Sequence, residues 1–205
     1  MDWTHEDALR RQGYRRIAGI DEVGRGSLAG PVVAAAVILG RSRRLEGVRD
    51  SKLLSERGRR REFAEVALGA VAYGFGVADA ATVDRINVLE ATRTAMRSAV
   101  EALSERPDAL LIDALELPEI PLPQRALLHG DRRCLSIAAA SILAKVFRDE
   151  MMKEFDAFYP AYRFGRNKGY GTADHCRALR ASGPSPLHRL TFGRVLTAPF
   201  AREGF

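Results

Sequence analysis

The hydrophobic pattern begins with short apolar runs and passes into longer helical periodicities. Ile17 to Asp21 is an apolar run that ends in carboxylates. Pro31 to Leu39 contains Val-Val-Ala-Ala-Ala-Val-Ile-Leu, which reads as a buried strand. A glycine-rich turn lies between them, so the patterned part of the chain opens as strand, tight turn, strand. Ser55 is placed to cap a helix through Leu68, with Phe63, Val66 and Ala67 at helical spacing, and Val71 to Val77 reads as the next strand. Asp79 to Ile86 predicts a short helix. Val88 to Leu103 predicts a longer one, with Leu89, Ala95, Met96, Ala99 and Leu103 on an apolar stripe, and Pro107 stops it.

Ala109 to Asp113 is a further apolar strand ending in a carboxylate, and Ala126 to Leu128 is a shorter one running into His129-Gly130-Asp131. Ile137 to Phe158 carries the strongest helical pattern and begins with the small series Ala138-Ala139-Ala140-Ser141. Thr172 to Ala181 makes another helix, stopped by Gly183-Pro184, and the last twenty or so residues read as irregular or weakly helical. Strands first, then helices alternating with strands, predict an α/β domain with a mixed central sheet and helices on its faces. With no internal repeat, low-complexity stretch or linker, residues 1–205 read as one domain, with a core over about 17–160 and a helical or irregular extension over about 161–205.

Composition supports that picture and narrows the partners. The chain has 205 residues, 46% hydrophobic and 28% charged, enough to bury the core of one medium-sized domain. No stretch reaches the roughly 18 apolar residues a bilayer span needs, and Met1 to Arg16 is charged rather than a signal region, so a cytoplasmic protein without a membrane partner is expected. Cys134 and Cys176 stand far apart without metal-finger spacing, which argues against a zinc site or disulfide framework. A formal net charge of +6 suits a polyanion such as nucleic acid. Runs such as Arg41 to Arg44 and Arg57 to Arg61 read as solvated surface.

The chemistry lies at the strand ends. Asp21 and Glu22 close a buried strand, where an unpaired charge is costly and calls for a cation or hydrogen bonds. Adjacent strand side chains face opposite ways, so for both acids to meet one ion the chain is expected to bend after Asp21, using the freedom of Gly24 and Gly26. Asp113 and Asp131 bring the strand-end carboxylates to four. Four hard oxygen donors without His or Cys suit magnesium or manganese rather than zinc. Gly24-Arg25-Gly26-Ser27-Leu28-Ala29-Gly30 has neither dinucleotide-loop spacing nor a Walker lysine, and Pro31 opens a strand where a helix is required. Its glycine-flanked arginine instead offers backbone groups to sugar hydroxyls and a phosphate. Asn167-Lys168-Gly169-Tyr170-Gly171-Thr172 places an aromatic ring between glycines, able to stack on a sugar or base.

These segments resemble bacterial ribonuclease HII. The resemblance rests on Gly19 to Gly26 (GIDEVGRG), Asp50-Ser51-Lys52, Leu111-Ile112-Asp113, Gly130-Asp131 and Ala138 to Val146 (AAASILAKV), and is extended by Lys168 to Thr172 (KGYGT) and His188-Arg189. Arg25 favours this type over ribonuclease HIII, which typically has lysine there and an extra N-terminal domain. The resemblance implies a ribonuclease H-like fold and an enzyme that cuts the RNA strand of RNA–DNA hybrids, including 5′ of single ribonucleotides in duplex DNA. A monomer is expected, without a sequence feature that discloses the oligomeric state. It implies two Mg²⁺ or Mn²⁺ ions held by Asp21, Glu22, Asp113 and Asp131, and products with 5′-phosphate and 3′-OH ends. It places Gly24, Arg25 and Gly26 at the 2′-OH, Tyr170 at the deoxyribose that follows, and Lys52 near the phosphate backbone. Ala114 and His129 depart from the family's common Gly and Lys, and Asp149, in mid-helix, is expected to be structural.

Overall fold

The computed structural model describes residues 2–40 and 55–197. Asp50-Ser51-Lys52, and with it the expected phosphate contact of Lys52, lies outside the described residues, as do Arg41 to Arg44. The elements are α1 (Thr4–Arg10), β1 (Ile17–Val23), β2 (Val32–Leu39), α2 (Glu56–Gly69), β3 (Ala70–Ala78), α3 (Ala80–Glu101), β4 (Ala109–Asp113), β5 (Gln124–Leu127), α4 (Leu135–Phe158), α5 (Phe164–Asn167), α6 (Ala173–Ser182) and α7 (Gly193–Leu196).

The sheet runs β3-β2-β1-β4-β5. β1 pairs antiparallel with β2, and β2 antiparallel with β3, while β1 pairs parallel with β4, and β4 parallel with β5. It is the mixed sheet expected from the pattern. β2 explains its own continuous apolar run: Val32, Ala34, Ala36 and Ile38 pack on α3, whereas Val33, Ala35, Val37 and Leu39 pack toward α4 and Val66 of α2. A strand covered on both faces has no position for a polar side chain.

Local signals set most boundaries. Ser55 accepts a hydrogen bond from the Gly58 N–H (3.1 Å) and starts α2, Asp79 accepts from the Thr82 N–H (2.7 Å) and starts α3, and Thr172 caps α6. α3 joins the two helices the sequence separates. Asn87 sits between them at φ 68°, and its carboxamide oxygen accepts from the Leu89 and Glu90 N–H groups, so it restarts the helix as an internal cap.

Small residues bring the helices close to the sheet. A Cβ on Gly76 of β3 would lie 1.9 Å from the Ala95 carbonyl oxygen of α3, and one on Gly19 of β1 would lie 2.2 Å from the Ser136 carbonyl carbon of α4. α4 therefore rests directly on β1, beneath the carboxylates. Phe63, Phe75 and Phe147 join α2, β3 and α4 in a ring stack, with centroids 6.5 Å and 4.3 Å apart. The start of α4 is capped from a distance: Glu6 of α1 accepts from the Ser136 N–H (2.8 Å) and from the Cys134 thiol. Burial and the nearby Glu6 push that thiol up to about 12, so it stays protonated. Among the described residues no helix is long and apolar enough to cross a membrane.

Candidate active site

The parallel pairing of β1 with β4 assembles the acids. The register runs Ile17↔Ala109 to Ile20↔Ile112, so Asp21 and Asp113 come next in step at the carboxyl ends of neighbouring strands. This is also where the strand order changes direction, a place where open sheets leave a crevice. One carboxylate oxygen from each of Asp21, Glu22 and Asp113 lies within 4.8 Å of the other two. The expected bend after Asp21 is not present: β1 keeps its register with β2 through Val23↔Val33. Instead the Asp21 carboxylate folds forward to accept from the Glu22 N–H (2.8 Å), and the longer Glu22 side chain reaches the same space from the end of the strand. The turn falls later, at Gly24 with φ +93°, a backbone state open to glycine. Gly26 has no such φ, and a Cβ there would meet nothing within 4 Å, so its use is open space rather than bending freedom.

The electrostatics call for a cation. Burial, followed by the neighbouring Glu22 and Asp113 carboxylates, holds Asp21 well above the usual carboxylate range, while the Ser141 hydroxyl hydrogen-bonds it and pulls the other way. Burial also raises Glu22, against the pull of Arg25, whose Nη1 lies 3.3 Å from Glu22 Oε1. Glu22 Oε2 is buried with no hydrogen-bond partner. Three hard oxygen donors, one of them an orphaned buried oxygen, fit a divalent metal ion of the Mg²⁺ or Mn²⁺ class.

Asp131 stands apart from this trio but lines the same cleft and is 4% exposed. It arrives on the turn after β5, which Asp113 anchors by accepting from the Gly130 N–H (2.7 Å). The cleft, about 390 Å³, is lined by all four acids together with Arg59, Ser141, Lys145 and Tyr170.

A sequence model of the family described as Ribonuclease HII matches residues 18–195. The chain belongs to the ribonuclease HII family. It is similar to the ribonuclease HII of Geobacter sulfurreducens, 53% identical over 94% of this chain and 89% of that protein. In structure it resembles the ribonuclease H2 of Pyrococcus horikoshii OT3, with TM-score 0.72 and 23% identity over 88% of this chain and 95% of that one. It also resembles Bst-RNase HIII solved in complex with Mn²⁺, with TM-score 0.67 and 22% identity over 89% of this chain and 68% of that one. The last two likenesses concern the fold, which is the ribonuclease H-like α/β fold expected from the sequence.

Among the described residues, Gly24, Arg25 and Gly26 on one side and Tyr170 on the other lie on two loops that touch. Leu28 and Ala29, in the loop after β1, donate from their N–H groups to the Gly169 carbonyl (2.8 and 3.3 Å). Tyr170 is 37% exposed at the cleft, its ring centroid 6.0 Å from Lys145 Nζ and 5.5 Å from Arg148 Cζ. Its carbonyl accepts from His175 Nδ1 (2.9 Å), which leaves His175 Nε2 to accept from His188 Nε2 (3.0 Å), and His188 Nδ1 to accept from the Ser185 N–H (2.9 Å). The chain of bonds is satisfied only when both imidazoles are neutral.

Three residues of the cleft wall, Ser141, Lys145 and Arg59, are not among the expected site residues. Ser141 and Lys145 are four apart on α4, and Asp149 continues the row, paired to Lys145 Nζ at 2.8 Å. The spacing was visible in the sequence, though not which helix face meets the acids. Arg59 belongs to the basic run expected to be solvated surface, yet it reaches the cleft. Arg60 does pair on the surface, with Glu150, and the exposed Arg61 pairs with the buried Glu62.

Proposed function

We propose that this chain is an endoribonuclease that hydrolyses the RNA strand of RNA–DNA hybrids and cuts 5′ of single ribonucleotides embedded in duplex DNA. The observation that carries the reading is the Asp21, Glu22 and Asp113 trio within 4.8 Å, in a chain of the ribonuclease HII family. Asp21, Glu22, Asp113 and Asp131 would hold Mg²⁺ or Mn²⁺, two ions in the catalytic complex, which supply Lewis acidity to the scissile phosphate and to water.

The chain's own residues position the substrate. Asp113 ties the Asp131 turn to the end of β4, so the acids of two strands and a turn keep one arrangement. Ser141 orients Asp21 by its hydroxyl. Lys145 and Arg59 place positive charge on the cleft wall, where a phosphodiester backbone would run. Gly24, Arg25 and Gly26 present backbone groups to the ribose 2′-OH, and Tyr170 offers its exposed ring to the following sugar. The cysteines Cys134 and Cys176 are free, as suits the reducing cytoplasm in which we place this single-domain monomer.

The test is cleavage of a duplex carrying one ribonucleotide. Wild type with Mg²⁺ or Mn²⁺ is expected to leave 3′-OH and 5′-phosphate ends, and a chelator to abolish cutting. Asp113→Asn should lose several kcal/mol of transition-state stabilisation, roughly a thousandfold in rate. An Asp113→Asn protein that cuts as fast as wild type overturns the reading.

A further inference from the structure

Two arginines distant in sequence lie beneath the recognition loops with no surface exposed. Arg148 of α4 donates from Nε to the Pro31 carbonyl (2.8 Å), from Nη1 to the Lys168 carbonyl (2.9 Å), and from Nη2 to Ser27 Oγ (2.8 Å) and the Ala29 carbonyl (3.2 Å). Arg189, in the segment before α7, donates from Nε and Nη2 to the Gly30 carbonyl (3.1 and 2.8 Å) and from Nη1 to the Arg25 carbonyl (2.7 Å). Among the described residues neither guanidinium has a carboxylate as hydrogen-bond partner. Burying a charge is costly, and here the hydrogen bonds that offset it go to peptide carbonyls and one hydroxyl, with Asp149 and Asp84 acting only through space. Burial pushes Arg189 down to about 10, which leaves it a cation at neutral pH, and burial lowers Arg148 as well.

The bonds have a geometric result. In a trans peptide the C=O and the next residue's N–H point opposite ways. Turning the Arg25 carbonyl inward onto Arg189 therefore turns the Gly26 N–H outward. The Gly24 carbonyl is taken by Ser27, through its N–H (3.3 Å) and its hydroxyl (2.8 Å), which points the Arg25 N–H away from that turn. Nothing stands within 4 Å of a Cβ built on Gly26, so an acceptor oxygen can approach the backbone closely. Arg148 also holds Lys168, two residues before Tyr170, and lies against the Tyr170 ring.

We infer that Arg148 and Arg189 are positioning residues for ribonucleotide recognition, a pair of buried guanidinium clamps that aim the Arg25–Gly26 amides at the substrate and fix their distance from Tyr170. The inference rests on the proposed reading of those loops as sugar sensors, and it adds that the two sensors work as one rigid gauge. A gauge reads two adjacent sugars at once, the ribose and the deoxyribose after it. A continuous RNA strand has no deoxyribose there, so its cutting depends on one sensor rather than on their spacing.

The test compares Arg148→Lys and Arg189→Lys with wild type on two substrates: a DNA duplex with one ribonucleotide and a continuous RNA–DNA hybrid. Lysine keeps the charge but cannot hold several carbonyls at once. A misplacement of about 1 Å can cost about a hundredfold in rate, so kcat/KM for the single ribonucleotide should fall roughly tenfold or more beyond the loss on the hybrid. Ser27→Ala, which removes one side-chain bond to Arg148, should shift the substrate ratio the same way by a smaller factor and serves where the lysine variants do not fold. Equal losses on both substrates, tracking a lowered Tm, overturn the clamp and leave a structural role. A ratio unchanged in all three variants overturns it as well. If wild type does not cut at the ribonucleotide, or if Tyr170→Ala leaves the ratio unmoved, the sensor reading itself fails and the clamp falls with it.

Discussion

At the scale of single residues, the two positions where this chain departs from common family residues share a backbone state. Ala114, directly after Asp113, has φ 55°, and His129, two residues before Asp131, also has φ 55°. A side chain in the left-handed region costs about 1–2 kcal/mol. Part of that is regained because glycine leaves the unfolded chain more freedom, so Ala114→Gly should stabilise the protein by about 1 kcal/mol. For a chain of this size that is a Tm rise of roughly 2–4 °C, read by thermal denaturation. The sequence marks both residues as unusual but cannot display φ, so their common strain emerges only in the fold. The trio Asp21, Glu22 and Asp113 was legible because each acid ends an apolar run, and a buried strand end leaves a carboxylate few alternatives to a cation. The turn at Gly24 rather than a bend at Asp21 was not, since side-chain reach is decided by rotamers.

At the scale of elements, the contact between α4 and β1 controls the site. Gly19→Ala would set a methyl 2.2 Å from the Ser136 carbonyl carbon and 2.4 Å from its oxygen, against the helix backbone itself. Overpacking of that kind costs about 3 kcal/mol, the upper end of its usual range. A lowered denaturant midpoint at unchanged slope is the expected result, and a midpoint equal to wild type would show that α4 yields freely. Ser141, Lys145 and Arg148 all ride on α4, so any shift of the helix is felt in the cleft. Most elements were legible in the apolar spacing because packing and pattern agree, as in β2, β4 and α4. The N-terminal helix α1 was not expected: its only fully buried apolar side chain is Leu9, and its purpose lies far away, where Glu6 caps α4. Local pattern carries no trace of a partner some 130 residues distant.

At the scale of the whole molecule, the neutral histidine pair sets an acid limit on stability. Burial, and then the neighbouring His175, push His188 down to about 4, and burial lowers His175 as well. Above the ordinary value of 6.5 both folded and unfolded chains carry these imidazoles neutral, so the bond chain contributes fully. As pH falls from 6.5 toward 4 the unfolded chain takes up a proton on His188 that the folded chain refuses, and stability is lost at up to about 1.4 kcal/mol per pH unit, with His175 adding to the loss in the same direction. Melting temperature should therefore fall between pH 6.5 and 5, with a shallower slope in His188→Gln. Equal slopes in the two proteins would dismiss the pair as the cause. The fold as a whole, a mixed sheet with helices on its faces, was legible from the order of strands and helices. The coupling of His188, Arg189 and Tyr170 across the C-terminal third was not, because those residues meet through short irregular segments whose course no periodicity describes.

The place of β1 in the sheet also dictates when the enzyme can exist. β1 can pair with β2 as soon as the hairpin is made, but its other neighbour, β4, follows about ninety residues later. At roughly 5–20 residues per second of synthesis, that is on the order of 5–20 s on the ribosome. Through that interval Asp21 and Glu22 have no Asp113 beside them, and Tyr170 is made later still. A ribosome-bound fragment at that stage thus carries two acids of the trio without the third, and the arrangement of Asp21, Glu22 and Asp113 comes into being only after β4 has been made.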